Sequence, residues 1–370
     1  MPLFQRFFRR STITRPAFLL HTAELANHFG PIWEAFDGTG FDILLDGAIQ
    51  PPKAPETARI RTVSEVLEAK DRYAVLVSNH LVRMPTELER KPYEKKDRPY
   101  KKAIINLLAE TNLRMMYAAG KTGWNMSAWN SFYDGILCFG PHHAKAFSSR
   151  FGLPTKQIGY PRFDKYFNIP IDKSKLCSSL NCDPTKPTVV WLPTWEALSS
   201  VDHFNDEIAA LMQNFNVVVK VHPLMPKDEP ERLERLQLLG FNALISDATD
   251  NVSLYQLADY MLFDYGGPAF GAIYAGKRFV LLNVPDAAND PLTGADSPDV
   301  LLRKSLINVN PGQGKLATYL QDGPHWFAHM KDIDRLRSHY FANNFGTSAA
   351  AAAAAILDRS WLSDKGNETW

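Results

Sequence analysis

The sequence predicts an α/β protein of two Rossmann-like domains whose parallel sheets face each other across a cleft. Three observations carry that expectation. Short apolar runs alternate with stretches of helical periodicity in both halves of the chain, the pattern of parallel strands joined by helical crossovers. A segment rich in Pro, Asp, Lys and Ser, Lys165–Lys186, separates the two series and reads as a linker. Two strands of the second series end in Lys220-Val221-His222-Pro223 and in Asp264-Tyr265-Gly266-Gly267. In an open parallel sheet, ligands collect beyond the carboxyl ends of the strands, where glycine turns lead into helix N-termini.

In the first series the expected strands are Ala17–Leu20, Phe41–Leu45, Tyr73–Ser78, Leu113–Ala118 and Asp134–Gly140. Thr22–Phe36 and Ser64–Lys70 carry apolar residues at helical spacing. The second series starts at Pro187 with TVVWLPT, followed by a helix from about Asn205, NVVVKVHP, a helix around Arg232–Leu239 and NALIS. A short helix, YMLFDYGG, another helix and RFVLLN complete it. The last helix starts after Gly346 with Thr347 or Ser348 as its cap and runs through seven alanines. Such a small-residue helix either packs closely back on the first domain or lies on the surface. The expected division is an acceptor domain over residues 1–165, a linker over 166–186, a nucleotide-donor domain over 187–345 and the closing helix over 346–370.

Composition narrows the function. A length of 370 residues suits two domains of ordinary size, and 45% hydrophobic with 22% charged residues suits a soluble globular protein. A net charge of +1 argues against a nucleic-acid partner held by bulk electrostatics. Cys138, Cys177 and Cys182 form neither a disulfide framework nor a metal-ligand pair, which points to a reducing compartment, and no metal site is expected. No apolar run reaches 18 residues, so no span is expected. Residues 1–15 mix Phe4, Phe7 and Phe8 with Arg6, Arg9 and Arg10, a composition that serves equally as an interfacial anchor on anionic lipid or as a basic terminus packed on the domain. The expected location is therefore the cytoplasm, with a peripheral seat on the inner face of the membrane as its extension. The basic stretch Glu89–Lys102 reads first as a solvated loop and second as an attractor for an anionic acceptor or lipid headgroup.

Several residues stand where chemistry is expected. Arg162, in GYPRFDKY at the domain junction, is placed to pair with a phosphate or with Asp164. Thr194 follows the strand TVVWL and offers a hydroxyl and a backbone N–H to phosphate, while Trp195 either stacks on a base or fills the core. Lys220 and His222 end a strand at the same edge, and an imidazolium there would neutralise charge on a departing diphosphate. Asp264 either caps the next helix or binds ribose hydroxyls, and Gly266 and Gly267 after Tyr265 let the backbone approach phosphate.

Taken together, GYPRFD, WLPTWEA, VVVKVHP, LYQLADYMLFDYGG and AGKRFVLLN resemble the CDP-glycerol glycerophosphotransferase family of teichoic-acid and capsule synthesis, from roughly Asp134 to the Gly346 region. The resemblance implies a GT-B fold and a transferase free of metal and cofactor. Its donor would be a nucleotide-activated group of CDP or CMP type, and its acceptor a glycan or a lipid-linked glycan. It also implies that His222 and Thr194 contact the donor pyrophosphate and that Asp264 to Gly267 complete the pocket.

The chain departs from that family at telling points. Gly266 and Gly267 replace the usual serines, and Gly271 stands near the usual acidic position. The segment Met115–Asn125 has Ala118 or Ala119 where the first-domain histidine, the family's base, is expected. His80 and His21, each at the end of a first-domain strand, are the substitute candidates for the general base, with Glu24 and His28 one or two helical turns past His21. A structural histidine is the competing reading of each. Lys121 after Gly120 is a candidate for an acceptor phosphate, as is Glu24 for the acceptor itself. Sugar transfer, for instance of Kdo from its CMP form, therefore stands beside glycerol phosphate transfer. A nucleotide-sugar 2-epimerase and a non-catalytic binding module are the remaining alternatives.

Overall fold

Every strand pair among the described residues of the computed structural model, 12–81, 103–291 and 293–363, is parallel. The first sheet contains β1 (Thr12–Ile13), β2 (Ala17–Leu20), β3 (Phe41–Leu45), β4 (Ala58–Thr62), β5 (Arg72–Ser78), β6 (Ala109–Met115), β7 (Gly135–Cys138) and β8 (Thr155–Gln157). Their order is β4-β3-β2-β5-β6-β7-β8, with β1 also on β5. The second sheet contains β9 (Thr188–Leu192), β10 (Asn216–Lys220), β11 (Ala243–Ile245), β12 (Tyr260–Phe263), β13 (Phe279–Leu282) and β14 (Asn308–Val309) in the order β11-β10-β9-β12-β13-β14. Each sheet reverses its winding direction once, between β2 and β5 and between β9 and β12. A crevice opens at the carboxyl ends of the strands at such a reversal.

Register sets what each crevice presents. Phe263 lies opposite Leu192, so the chain leaves β9 toward Thr194 beside the point where it leaves β12 toward Asp264. Phe18 lies opposite Val77, and the same register carried three residues on brings His21 beside His80. The strands are apolar on both faces because helices cover both. Val189 and Trp191 of β9 pack with Val201, Phe204 and Ile208, while Val190 and Leu192 pack on the other side with Phe263 and Phe270. That second cluster also contains Met116, Phe139, Phe147, Tyr160 and Phe163 from the first half, so the two Rossmann-like domains share apolar packing.

Some elements differ from the sequence expectation for physical reasons. The strand expected over Leu113–Ala118 runs from Ala109 to Met115. β4, ARIRT, lacks apolar alternation because it is an edge strand fastened by charge. Arg59 donates to buried Asp42 at 3.0 and 2.8 Å, and the Tyr73 hydroxyl donates to the same carboxylate at 2.7 Å. The region expected to link the domains is largely ordered, with helices Asp164–Asn168 and Lys173–Ser179. The His325–Tyr340 helix is not among the expected elements.

The alanine helix spans Ser348–Leu357 and packs against the first sheet's outer helix, Leu25–Glu34, with Ala352 and Ile356 fully buried. Thr347 stands at its N-cap position, as expected, but makes no side-chain cap hydrogen bond. The Asp164 carboxylate accepts from the backbone N–H groups of Ser348 at 3.1 Å and Ala349 at 2.7 Å. Asp164 is thereby removed as a partner for Arg162. Gly159 permits the approach, since a Cβ there would lie 2.3 Å from Ser348 Oγ.

Candidate active site

A cleft of about 430 Å³ opens between the carboxyl edges of the two sheets. Most of the residues singled out from sequence line it: His21, Glu24 and Lys121 from the first side, Arg162 at the junction, and Thr194, Trp195, Lys220, His222, Tyr265, Gly266 and Gly267 from the second. His80 and Asp264 are not among the lining residues. Ala118, where the usual base is expected, and Tyr117 beside it also face the cleft.

His222 follows β10 and is half-buried, its ring stacked on Trp195 at 5.1 Å and 7°. Trp195 therefore does not fill the core; it is half-buried at the cleft, where it stacks on the imidazole. The Leu224 backbone N–H donates to His222 Nδ1 at 3.3 Å, so that nitrogen is the acceptor and Nε2 carries the proton of the neutral ring. Burial, and then the charge of Lys121, lower the His222 pKa to about 4. His222 is thus a neutral hydrogen-bond donor rather than the imidazolium expected from sequence. Lys121 sits close enough to His222 for its charge to act on the ring.

Asp264 is a support beneath the site, not a ribose ligand or a helix cap. It is 3% exposed, and its carboxylate accepts from the backbone N–H of Thr194 at 2.9 and 3.0 Å, of Ser200 at 2.8 Å and of Tyr265 at 2.8 Å. The Ser200 hydroxyl adds a further bond at 2.8 Å. Burial raises the Asp264 pKa to about 6 against the pull of these donors. The arrangement ties the turn after β9 to the turn after β12 and sets the height of Thr194. Gly266 has φ of +131°, a region open to glycine alone, and starts the Gly267–Ala275 helix. Arg303 braces the same turn from below, donating to the Asp264 carbonyl at 2.7 Å with its guanidinium 3.7 Å from the Tyr265 ring centroid.

Arg162 does not offer its guanidinium to a phosphate. It donates to Asp250 at 3.0 Å, Asn251 at 3.1 Å and His28 Nε2 at 3.2 Å, with Glu24 3.9 Å away, and so fastens the second side of the cleft to the first. Lys220 is similarly committed: it is 7% exposed and donates to the Asp247 carbonyl at 2.7 Å. Both shape the loop 247–251, which Asn27 also reaches through the Ala248 carbonyl at 3.1 Å.

On the first side, His21 faces the cleft while His80 lies behind it. The two rings are 5.5 Å apart, and His80 is stacked on Trp124 at 5.5 Å and 6° with Trp129 at 5.1 Å. Burial lowers the His80 pKa to about 4. Of the two rings, only that of His21 lines the cleft. Burial lowers the His21 pKa too, opposed by the nearby Asp46.

Sequence reasoning missed Ser200, Ser297, Asp299 and Arg303, all of which hold the site from below. The only signal for them is an unexplained polar residue beside a strand end, which many surface loops share. Gly271, the departure from the family's acidic position, has a packing cause. A Cβ there would lie 2.3 Å from Phe163 Cζ and 3.1 Å from the Tyr255 hydroxyl. Among the described residues no group of three or more His, Cys, Asp or Glu could hold a metal ion. Residues 1–11 and the basic stretch 89–102 lie outside the described residues.

Comparison with known proteins agrees with this geometry. The sequence profile of the CDP-glycerol:poly(glycerophosphate) glycerophosphotransferase family matches residues 95–275. No curated protein matches the chain in sequence. Among solved structures, the wall teichoic acid polymerase TagF superposes with a TM-score of 0.62 at 15% identity, over 93% of this chain and 88% of that one. A TagF variant soaked with CDPG gives 0.63 at 16%, over 92% and 88%. A glycosyltransferase from Rickettsia africae ESF-5 gives 0.50 at 10%, over 95% and 99%. At these identities the structural likeness speaks to the fold, which is the GT-B type.

Proposed function

We propose that this chain, a transferase of the CDP-glycerol glycerophosphotransferase family, moves the activated group of a cytidine diphosphate donor of CDP-glycerol type onto a cell-envelope glycan or lipid-linked glycan acceptor. The observation that carries the reading is the convergence at one end of the cleft of the His222 ring on Trp195, the Thr194 turn and the Gly266–Gly267 turn from the second wall with Lys121 from the first. Together they supply hydrogen-bond donors and positive charge where a pyrophosphate would lie, with the N-terminus of the Gly267–Ala275 helix at its edge.

In this reading the second domain holds the donor and the first holds the acceptor. An acceptor hydroxyl gives its proton to His21, and its oxygen forms a new bond to the β-phosphorus. The bond from that phosphorus to the bridging oxygen breaks, and CMP leaves with the electron pair. His222 Nε2–H and Lys121 stabilise the charge that develops on the departing phosphate. Protein donors take the part a metal ion plays elsewhere, so chelation with EDTA is expected to leave the rate unchanged.

A second reading, transfer of a sugar from a nucleotide sugar, draws support from Ala118 and Gly271. There the family's base is absent, and Phe163 leaves no room for its acidic side chain. Among the described residues no helix is long and apolar enough to cross a membrane. Action at the inner face on a lipid-linked acceptor would then be peripheral, with the N-terminal segment as the contact.

The test is binding and turnover with a panel of CDP, CMP, UDP, GDP and their conjugates. CDP or CDP-glycerol is expected to raise the melting temperature most. His222→Ala is expected to cut turnover about a hundredfold with the fold intact. Stabilisation by none of the panel removes the donor site, and preference for a CMP or UDP sugar selects the second reading.

A further inference from the structure

Asp299 takes no part in the transfer just described, yet its carboxylate joins the two walls of the cleft. It stands on the short Pro298–Leu301 helix and is 1% exposed. Oδ2 accepts the backbone N–H of Lys121 at 2.8 Å, from the chain that follows the first sheet's β6. Oδ1 accepts the backbone N–H of Gly266 at 3.1 Å, from the turn that follows β12 of the second sheet. A carboxylate this deeply buried requires partners on both oxygens, and it finds one on each wall. Arg303 donates to the Asp299 carbonyl, and the Thr122 N–H donates to Ser297 Oγ at 3.0 Å, which extends the same contact.

The backbone on both sides is shaped to this contact. A Cβ on Gly120 would lie 2.1 Å from Asp299 Oδ2, so the carboxylate occupies the space of a side chain. Lys121 holds φ of 55°, in the left-handed region that a lysine rarely adopts. That conformation brings the Lys121 side chain from the first domain to His222 of the second, whose ring feels its charge.

We propose that Asp299 is a positioning residue that latches the donor end of the cleft, holding Lys121 and the Gly266 turn in the one arrangement in which both face the leaving phosphate. The ligand in this statement rests on the donor-site reading above; the latch itself rests on the hydrogen bonds. Donor binding and closure of the two domains are then one event, because the cation that meets the phosphate is delivered only by the closed form.

The experiment uses the full chain labelled at histidine, with the His222 ring titrated by NMR and CDP binding followed by calorimetry. Asp299→Asn turns an amide N–H2 toward a backbone N–H, and Gly120→Ala pushes the carboxylate away from the other side. Both are expected to move the His222 midpoint upward from about 4 and to weaken CDP binding by about tenfold. Lys121→Met is expected to give the same upward move, with no further rise when Asp299→Asn is added. An unchanged His222 midpoint in the folded variants overturns the latch. If Asp299→Asn fails to fold, Gly120→Ala decides alone. If CDP binds no form of the protein, wild type included, the donor reading falls while the His222 titration still decides the latch.

Discussion

His21 and His222 illustrate how much a single residue's role depends on what surrounds its ring. Both follow a strand at a winding reversal or beside one, and both are kept neutral by burial. His222 has its Nδ1 occupied by a backbone donor, so it can only give a hydrogen bond from Nε2. His21, which lines the cleft, is the proton acceptor in the proposed reaction. A general base works in its neutral form, so activity falls as pH drops through its pKa, and that pKa lies below the ordinary 6.5. The acidic limb of kcat/KM is accordingly expected with a midpoint under 6.5. His21→Asn is expected to abolish the limb and to lower kcat/KM about a hundredfold. A limb that persists unchanged in this variant assigns the proton elsewhere.

At the scale of elements, two turns and one helix decide the shape of the cleft wall contributed by the second sheet. The Asp264 carboxylate, with four donors, binds the turn after β9 to the turn after β12. The Gly267–Ala275 helix then packs so closely on Phe163 that Gly271 has no space for a methyl group. Gly271→Ala is expected to cost about 1–3 kcal/mol of stability through overpacking, read as a lower melting temperature in the absence of ligand. A variant as stable as wild type shows that Phe163 can withdraw, and would reopen the family's acidic position to substitution. The sequence revealed these elements unevenly. β9, β10 and β12 were legible because buried parallel strands are continuous apolar runs. β4 was not, since an edge strand held by Arg59 and Asp42 has no such signal.

At the scale of the whole molecule, the cleft is fastened at both ends. Arg162 with Asp250, Asn251 and His28 closes one end, and Asp299 with Lys121 and Gly266 closes the other. The Ser348–Leu357 helix, capped by Asp164, returns the chain to the first sheet and leaves the two halves connected twice. Arg162→Ala strips three charge-assisted bonds from one end and is expected to cost about 2 kcal/mol. It should also enlarge the radius of gyration in X-ray scattering and weaken CDP binding. A radius and an affinity equal to wild type would mean that the remaining contacts hold the closed form unaided.

The sequence by itself determined the two parallel sheets, the strand ends that carry the candidate site and a resemblance to a family whose profile matches residues 95–275. Those depend on apolar periodicity and on short motifs local in the chain. Only the tertiary structure decided which of those residues are free to meet a ligand. Arg162, Lys220, Asp264 and His80 have the right chemistry at the right edge, but Lys220, Asp264 and Arg162 are committed to partners 27 residues away (Asp247), 70 away (Thr194) and up to 134 away (His28), and His80 is covered by Trp124. Asp299, silent in sequence, becomes decisive because folding brings two backbone N–H groups from opposite walls to its oxygens. A buried polar group must find its partner somewhere, and where it does so is a property of the packed molecule rather than of the neighbouring residues.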